Sequence, residues 1–309
     1  MSEIVTITLN PAIDKHYTVD RLAPEHKLRV ANPRVDPGGG GINVSKALKE
    51  LGGNSLAVFF AGGMNGDYLQ QLLKAQQLDI YPIIIQGETR ESIVITEEST
   101  GKEFRIVVEG PEIGMDAFNK VIGQLSAVKP AYVVASGSIP KGLPGDIFAK
   151  LAKEVKALGA RFILDTSGDA LKQAVNEGVY LLKPNLKELS NLVGVESLQL
   201  EDVDDAALEL INKGSCEVVV VSLSSSGAMV VTKDGWHHIP APTVERKSTV
   251  GAGDSMVAGM VWSLVQGKSF TDMAQVGVAC GTAATMSPGT QLFRKEDVEK
   301  LLRWIENRK

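Results

Sequence analysis

"RFILDTSGDALKQAVNEGVYLLKPN" (161–185) divides into an apolar run, "RFILDT" (161–166), a helical period over 168–177, and a second apolar run, "VYLLKPN" (179–185). Strand, helix and strand in that order make a βαβ unit, in which two parallel strands are joined by a helix lying on one face. The rhythm continues outward in both directions. "EIVTITL" (3–9), "SLAVFFA" (55–61), "AYVVASG" (131–137) and "EVVVVSL" (217–223) read as further strands. Between them "INVSKALKEL" sets Val44, Ala47, Leu48 and Leu51 at helical spacing, and similar patterns recur at 145–158 and 203–213. This alternation predicts an α/β fold, a doubly wound and mainly parallel sheet covered by helices on both faces.

Two stretches depart from the rhythm. Residues 14–36 and 90–108 read as short alternating strands without an intervening helix, the second being "RESIVITEESTGKEFRIVV" with a turn near Ser99-Thr100-Gly101. They predict a small β lid on an α/β body spanning 1–309 as a single domain. Ile93, Ile95, Phe104, Ile106 and Val108 alternate along the lid, so one of its faces is apolar and needs a cover. A second copy of the chain is the simplest cover, which predicts a homodimer.

Composition removes several function classes. At 44% hydrophobic and 22% charged, the 309-residue chain is ordinary for a globular protein, and no apolar run approaches the ~18 residues of a membrane span. Its acidic, strand-like start has no basic segment followed by an apolar one, so the expected location is cytoplasmic, with no membrane partner. A net charge of -5 and a pI of about 5.5 argue against sequence-independent nucleic-acid binding, which calls for a basic stripe. Cys216 and Cys280 have neither metal spacing nor a disulfide framework and read as core residues.

Familiar nucleotide and hydrolase motifs do not fit. The dinucleotide pattern G-x-G-x-x-G matches Gly251 and Gly253 but meets Met256 at its third glycine, and the Walker ending at Gly267-Lys268-Ser269 lacks its earlier glycine, replaced by Trp262. The His237-His238 doublet has the wrong spacing for a helical metal pair and reads as part of a solvated edge strand, and no Gly-x-Ser-x-Gly elbow occurs.

Two glycine stretches remain. "DPGGGGIN" (36–43) places side-chain-free backbone before an amphipathic helix, where free N–H groups can meet a polar ligand and Asn43 adds an amide; the alternative is a tight loop under close packing. In "STVGAGDSM" (248–256), Gly251, Ala252 and Gly253 form an amide nest suited to developing negative charge, and Asp254 follows in the first turn of a helix. Asp254 is then either a base beside that nest or a helix cap. Asp14, in "NPAID", follows the first strand at its carboxyl end, where open α/β sheets bind ligands; the competing reading is an Asx turn after Pro11. "LLKPNLKEL" (181–189) offers Lys183 as a point charge for phosphate. Its Asn185 and Glu188, three apart, suit Mg2+ held through water, or a capping box, or both.

Together these pieces resemble the phosphofructokinase B family of ribokinase-like sugar kinases, in the right order over essentially the whole chain. "GGGGINVSKALKELGG" (38–53) and "STVGAGDSMVAG" (248–259) are its strongest signatures. The resemblance implies ATP-dependent phosphorylation of a sugar hydroxyl, with Asp254 as catalytic base and Gly251, Ala252 and Gly253 as anion hole. By the same resemblance Asp14, Gly39 and Asn43 hold sugar hydroxyls, and Lys183 lies near the nucleotide phosphates. Asn185 and Glu188 organise the Mg2+ of Mg-ATP. Ser222, in "VVSLSSSGAMVV", matches a nucleotide-site serine, although Ser224 stands where the family pattern has glycine; Thr249 and Ser287 belong to the same expected pocket. The family also leaves room for a monovalent cation.

An acceptor that already carries a phosphate needs further cations. Lys27 in "PEHKLR" and Arg90 in "GETRES" are the candidates, with Ser138 in "SGSIP" matching another sugar-phosphate contact. On "PEHKLR" and "DPGGGGIN" the chain looks closer to fructose-6-phosphate kinases, which phosphorylate the 1-hydroxyl, than to 1-phosphofructokinases or tagatose-6-phosphate kinases. A non-catalytic sugar-phosphate sensor on the same scaffold is the reading of a different class, and it would have no need of the base Asp254.

Overall fold

The computed structural model describes residues 3–30 and 33–308. Positions 31 and 32 of the expected lid segment lie outside them. In chain order, β1 (Ile4–Thr8), β2 (Ala12–Val19) and β3 (Arg34–Gly38) lead into α1 (Gly40–Glu50), β4 (Leu56–Ala61), α2 (Gly63–Ala75) and β5 (Asp79–Ile84). Next come β6 (Arg90–Glu97), β7 (Lys102–Val107), α3 (Met115–Val128), β8 (Tyr132–Ser136), α4 (Ile147–Ala157), β9 (Arg161–Asp165), α5 (Gly168–Glu177) and β10 (Val179–Leu182). The chain continues through α6 (Leu186–Val193), α7 (Val203–Asn212), β11 (Cys216–Ser222), β12 (Ala228–Thr232), β13 (Gly235–Ile239), α8 (Ala252–Val265), α9 (Phe270–Thr285) and α10 (Lys295–Glu306).

The strands form a nine-stranded sheet in the order β13-β12-β11-β10-β9-β8-β1-β4-β5 and a four-stranded sheet in the order β3-β2-β6-β7. From β11 to β5 every pairing in the large sheet is parallel; β12 and β13 add an antiparallel edge. Successive side chains of a strand point to opposite faces, and the core divides accordingly. Val133, Ala135, Val219 and Val221 pack with Phe118 of α3, Phe148 of α4 and Leu210 of α7, while Val134, Val218 and Val220 pack with Leu48 of α1, Val257 of α8 and Ala279 of α9. Both faces are therefore dry, which is why the central strands read as unbroken apolar runs.

Two strands, β5 and β12, were not visible in the sequence, while β13 carries the His237-His238 doublet read there as an edge strand. β5 contains Pro82, which lacks an N–H for the ladder, and it is accommodated because β5 is an edge strand. β12 and β13 form a hairpin at the other edge, and the exposed His237 and His238 lie on its outer strand, as expected of a solvated edge. In the lid, the first expected stretch resolves into β2 and β3 separated by residues 20–33, which hold no strand among those described. Ile93 faces Ile106 and Ile95 faces Phe104 across the β6–β7 ladder, and Phe104, Ile106 and Val108 are exposed. The lid thus carries the apolar face its alternation predicts.

Candidate active site

The "DPGGGGIN" stretch carries the chain from lid strand β3 into α1, and its glycines are compressed against the body. A Cβ on Gly38 would overlap the Asp14 carboxylate, one on Gly40 would lie 2.1 Å from Ser136 Oγ, and one on Gly41 would lie 2.4 Å from the Ile7 carbonyl oxygen. The Ile42 N–H donates to Thr8 Oγ1 at 2.9 Å. Close approach of α1 to the carboxyl ends of β1 and β8 is thus a principal reason for these glycines, and it places Asn43 one turn into the helix beside α8. Gly39, with φ 119°, is the residue before α1 and tolerates this turn because it lacks a Cβ.

At the second glycine stretch Gly251 adopts the left-handed conformation, φ 73°, and precedes α8. Of the expected nest at Gly251, Ala252 and Gly253, the Ala252 N–H donates to the Thr249 carbonyl at 3.4 Å, so the positive end of α8 is carried by the amides of Gly253 and Asp254, which as first-turn amides have no carbonyl one turn back. Asp254 does not cap α8. Its carboxylate instead accepts from Asn43 Nδ2 at 3.0 Å on Oδ2 and from Ser136 Oγ at 2.9 Å on Oδ1. Burial, then the neighbouring Asp165 carboxylate, push its pKa up to about 6 against the pull of Asn43, Ser136 and Lys183.

Lys183, at the end of β10, is buried and makes an ion pair of 3.3 Å with Asp165, the last residue of β9. This pair, together with Asp254 at the start of α8, concentrates charge where the carboxyl ends of β8, β9 and β10 meet α8. A cleft of about 1080 Å³ opens from here, lined by Lys183, Asn185, Ser222, Thr249, Ala252 and Gly253 among others. Pro242, Val244 and Leu223 also line it and give it apolar surface. Ser224 lines the same cleft at φ 56°, a conformation that suits the glycine the family pattern has here.

Asn185 and Glu188 form a reciprocal capping box at the start of α6: Glu188 N–H donates to Asn185 Oδ1 and Asn185 N–H donates to Glu188 Oε2, each at 2.9 Å. The box uses one carboxylate oxygen of Glu188, and the other is a hard oxygen donor of the kind that suits magnesium held through water; Asn185 lines the cleft and Glu188 does not.

Asp14 is not in an Asx turn. It is the third residue of lid strand β2, opposite Asp36 of β3 and Ser92 of β6. Burial raises its pKa to about 6, with Lys46 and Arg90 opposing. Arg90 opens β6 and donates from Nε and Nη2 to the Asn10 carbonyl at 3.3 and 3.2 Å, which holds the guanidinium beside Asp14. Lys46, one turn beyond Asn43, reaches the Pro37 carbonyl at 3.3 Å and is held among the Asp36, Asp14 and Asp254 carboxylates. The structure therefore unites Asp14, Gly39, Asn43, Arg90 and Asp254 on one side of the α8 terminus, and Lys183, Asn185, Ser222 and Thr249 on the other.

Of the remaining expected residues, Ser138 adjoins the Arg90 side through Asn10, while Lys27 and Ser287 lie farther out. Lys27 is exposed in the segment between β2 and β3 and has no ion pair among the described residues. Ser138 accepts from Asn10 Nδ2 at 3.0 Å, two residues beyond the serine that bonds Asp254. Ser287 follows α9, outside the lining of the cleft, because the chain turns there toward Thr290, whose hydroxyl bonds Asp36 of the lid. Conversely, Ser136, Asp165 and Lys46 were missed. Asp165 and Ser136 end strands at the sheet's carboxyl edge, the one signal that could have marked them.

The sequence and the fold match known proteins over nearly the whole chain. The model of the pfkB family carbohydrate kinases matches residues 2–297. The Escherichia coli ATP-dependent 6-phosphofructokinase isozyme 2 is 38% identical over 307 residues, 99% of each chain, and the Mycobacterium tuberculosis protein of the same name is 40% identical over 299 residues, 96% of this chain and 88% of that one. Solved structures of the Escherichia coli phosphofructokinase-2, in complex with potassium and with fructose-6-phosphate, match with TM-scores of 0.94 and 0.93 at 38% and 36% identity, over 99% of this chain and 100% of theirs. A doubly wound sheet, a β lid and an aspartate at the glycine-rich start of α8 thus coincide with a match of nearly full length: this chain belongs to the pfkB family of carbohydrate kinases.

Proposed function

We propose that the chain is an ATP-dependent 6-phosphofructokinase that transfers the γ-phosphoryl of Mg-ATP to the 1-hydroxyl of fructose 6-phosphate. The observation that carries this reading is Asp254, a carboxylate with a pKa near 6, held by two hydrogen bonds beside the amide nest of α8. A base of that pKa is ionised at neutral pH yet basic enough to take a proton in the transition state. Relatives named as 6-phosphofructokinases, 38 and 40% identical over nearly the whole chain, support the choice of acceptor.

In this reading the nucleotide occupies the cleft with its phosphates toward Lys183, Gly253 and Ala252 and its base between Leu223 and Val244. The sugar lies on the Asp14 side, its hydroxyls on Asp14, Asn43 and the Gly39 backbone. Arg90, with Ser138 and Lys27 from the lid and its margin, takes the 6-phosphate. Asp254 accepts the proton of the 1-hydroxyl as that oxygen forms its bond to the γ-phosphorus. The bond from γ-phosphorus to the bridging oxygen breaks, and ADP leaves with the electron pair. Gly251, Ala252 and Gly253 orient the transferring oxyanion, and Lys183 offsets charge at the phosphates. Magnesium, when bound with the nucleotide, supplies further neutralisation of phosphate charge; Asn185 and Glu188 would hold it through water.

The exposed apolar face of the lid, with Phe104 and Ile106 at its centre, supports a homodimer in which a second lid covers it. The Escherichia coli relative has also been solved as a tetrameric inhibited form, so assembly is read in solution rather than assumed.

A coupled ADP-release assay tests the reading, with fructose 6-phosphate, fructose 1-phosphate, tagatose 6-phosphate, fructose and ribose as acceptors. Preference for fructose 6-phosphate is expected. Preference for fructose 1-phosphate would favour a 1-phosphofructokinase, a description carried by a Bacillus subtilis relative 33% identical over 300 residues. Absence of turnover with every acceptor would overturn the kinase reading in favour of a sugar-phosphate sensor.

A further inference from the structure

Asp254 is a base only if its carboxylate faces the acceptor hydroxyl, and α8 alone does not fix it: the bond from helix to carboxylate leaves two side-chain torsions free. Two side chains from other elements hold the group. Asn43 belongs to the sugar side of the site in the reading above. Ser136 has no such role: it ends β8, is buried at 4% exposure, and directs its hydroxyl to Asp254 Oδ1 at 2.9 Å.

The position of that hydroxyl is itself over-determined. Ser136 lies in register with Asp165 across the β8–β9 ladder, and the preceding Ala135 pairs with Ile7 of β1, so its backbone is set by the middle of the sheet. On the other side α1 presses against it. A Cβ on Gly40 would come within 2.1 Å of Ser136 Oγ and 2.8 Å of its Cβ, so the glycine is required for the serine to stand there. Sheet, α1 and α8 therefore meet at one hydroxyl.

We propose that Ser136 is the positioning residue for the catalytic carboxylate, locking Asp254 toward the acceptor and favouring its ionised form. The inference rests on the role given to Asp254 above. A hydrogen bond donated to the charged form of an acid favours that form. The charged groups facing Asp254 are Asp165 from β9, which pushes its pKa up, and Lys183 from the end of β10, which pulls it down, with Lys46 of α1 also within electrostatic reach. Removing the serine hydroxyl leaves all three in place, so its own effect can be isolated.

The test is carbon-13 NMR of the aspartate carboxyl groups in the full-length protein without substrates, with the Asp254 signal identified by its loss in Asp254→Asn. In the native protein it should titrate near pH 6. In Ser136→Ala the midpoint should rise by on the order of one pH unit, the size of a lost charge-assisted hydrogen bond. Ser136→Cys, with the same shape and a weaker donor, should fall between. Kinetically, the acid limb of the kcat profile should move with the titration and kcat should drop about tenfold, while KM for the sugar phosphate stays within about twofold. An unmoved Asp254 midpoint in Ser136→Ala overturns the proposal, as does a raised KM with an unchanged acid limb, which would make Ser136 a substrate contact. Should Ser136→Ala fail to fold, Ser136→Cys carries the test, and an unmoved Asp254 midpoint in that variant overturns the proposal. The titration needs no turnover, so an enzyme inert toward every acceptor would sink the kinase reading while the Ser136 result still stood on its own.

Discussion

Asp254 is a compromise between stability and chemistry. Its pKa of about 6 lies above the ordinary 3.8, so between those values the folded chain binds more protons at this site than the unfolded chain does. Stability contributed by this group is therefore greatest at low pH and is lost as pH rises toward 6, the reverse of an ion-paired aspartate. Asp254→Asn removes that penalty: the variant should be more stable than the native protein at pH 7, by up to about 3 kcal/mol, and the advantage should vanish near pH 4. Thermal melts at the two pH values check it. The same variant should lose roughly 10²–10⁴-fold in kcat, the cost of a missing general base. In the native enzyme kcat should fall as pH drops through about 6, where Asp254 takes up its proton. A pH-independent kcat across that range would remove Asp254 from the chemistry. Asp254, Asn43 and Asp14 were legible in the sequence because each stands in a local pattern, glycine-rich or just after a strand. Ser136, Asp165 and Lys46 were not, since a serine 118 residues away from its partner carries no local mark of the contact.

At the scale of the element, the start of α8 is where backbone conformation and the proposed function coincide. Gly251 holds φ 73° against Leu292, whose Cδ2 would lie 2.6 Å from an added Cβ. Gly251→Ala thus meets both a conformational penalty of about 1 kcal/mol or more and a steric one. It should lower both the melting temperature and kcat, because relief of the clash tilts the first turn and its amides. A variant with native kcat would show that the nest is not used. The box at α6 gives the opposite lesson. Capping and metal ligation were both open for Asn185 and Glu188 in the sequence; the structure shows the cap, which engages one carboxylate oxygen of Glu188. At α1 the glycines proved to be mainly a packing device, because a helix laid this close to strand ends admits no Cβ.

For the molecule as a whole, the lid is the part on which the proposed association bears. Its exposed Phe104, Ile106 and Val108 are continuous with the part-buried Ile93 and Ile95, an apolar ladder on a four-stranded sheet. Ile106→Asp places a charge in the middle of that ladder. It should shift the native assembly toward monomer in sedimentation velocity and weaken sugar binding more than nucleotide binding, since Asp14 and Arg90 are lid residues and Lys183 is not. An unchanged mass distribution would mean that this face is not the interface.

The α/β class, the parallel central strands, the lid and the glycine-rich signatures were all determined by the sequence itself, because each is written in local periodicity or in residues whose backbone freedom is special. The edge strand β5, the pairing of β12 with β13 and the convergence of Ser136, Asp165, Lys183 and Asn43 on one carboxylate were decided only by tertiary structure. Parallel strands are joined by crossovers, so neighbours in the sheet are distant in the chain, and a site built at their carboxyl ends is assembled by the winding of the sheet.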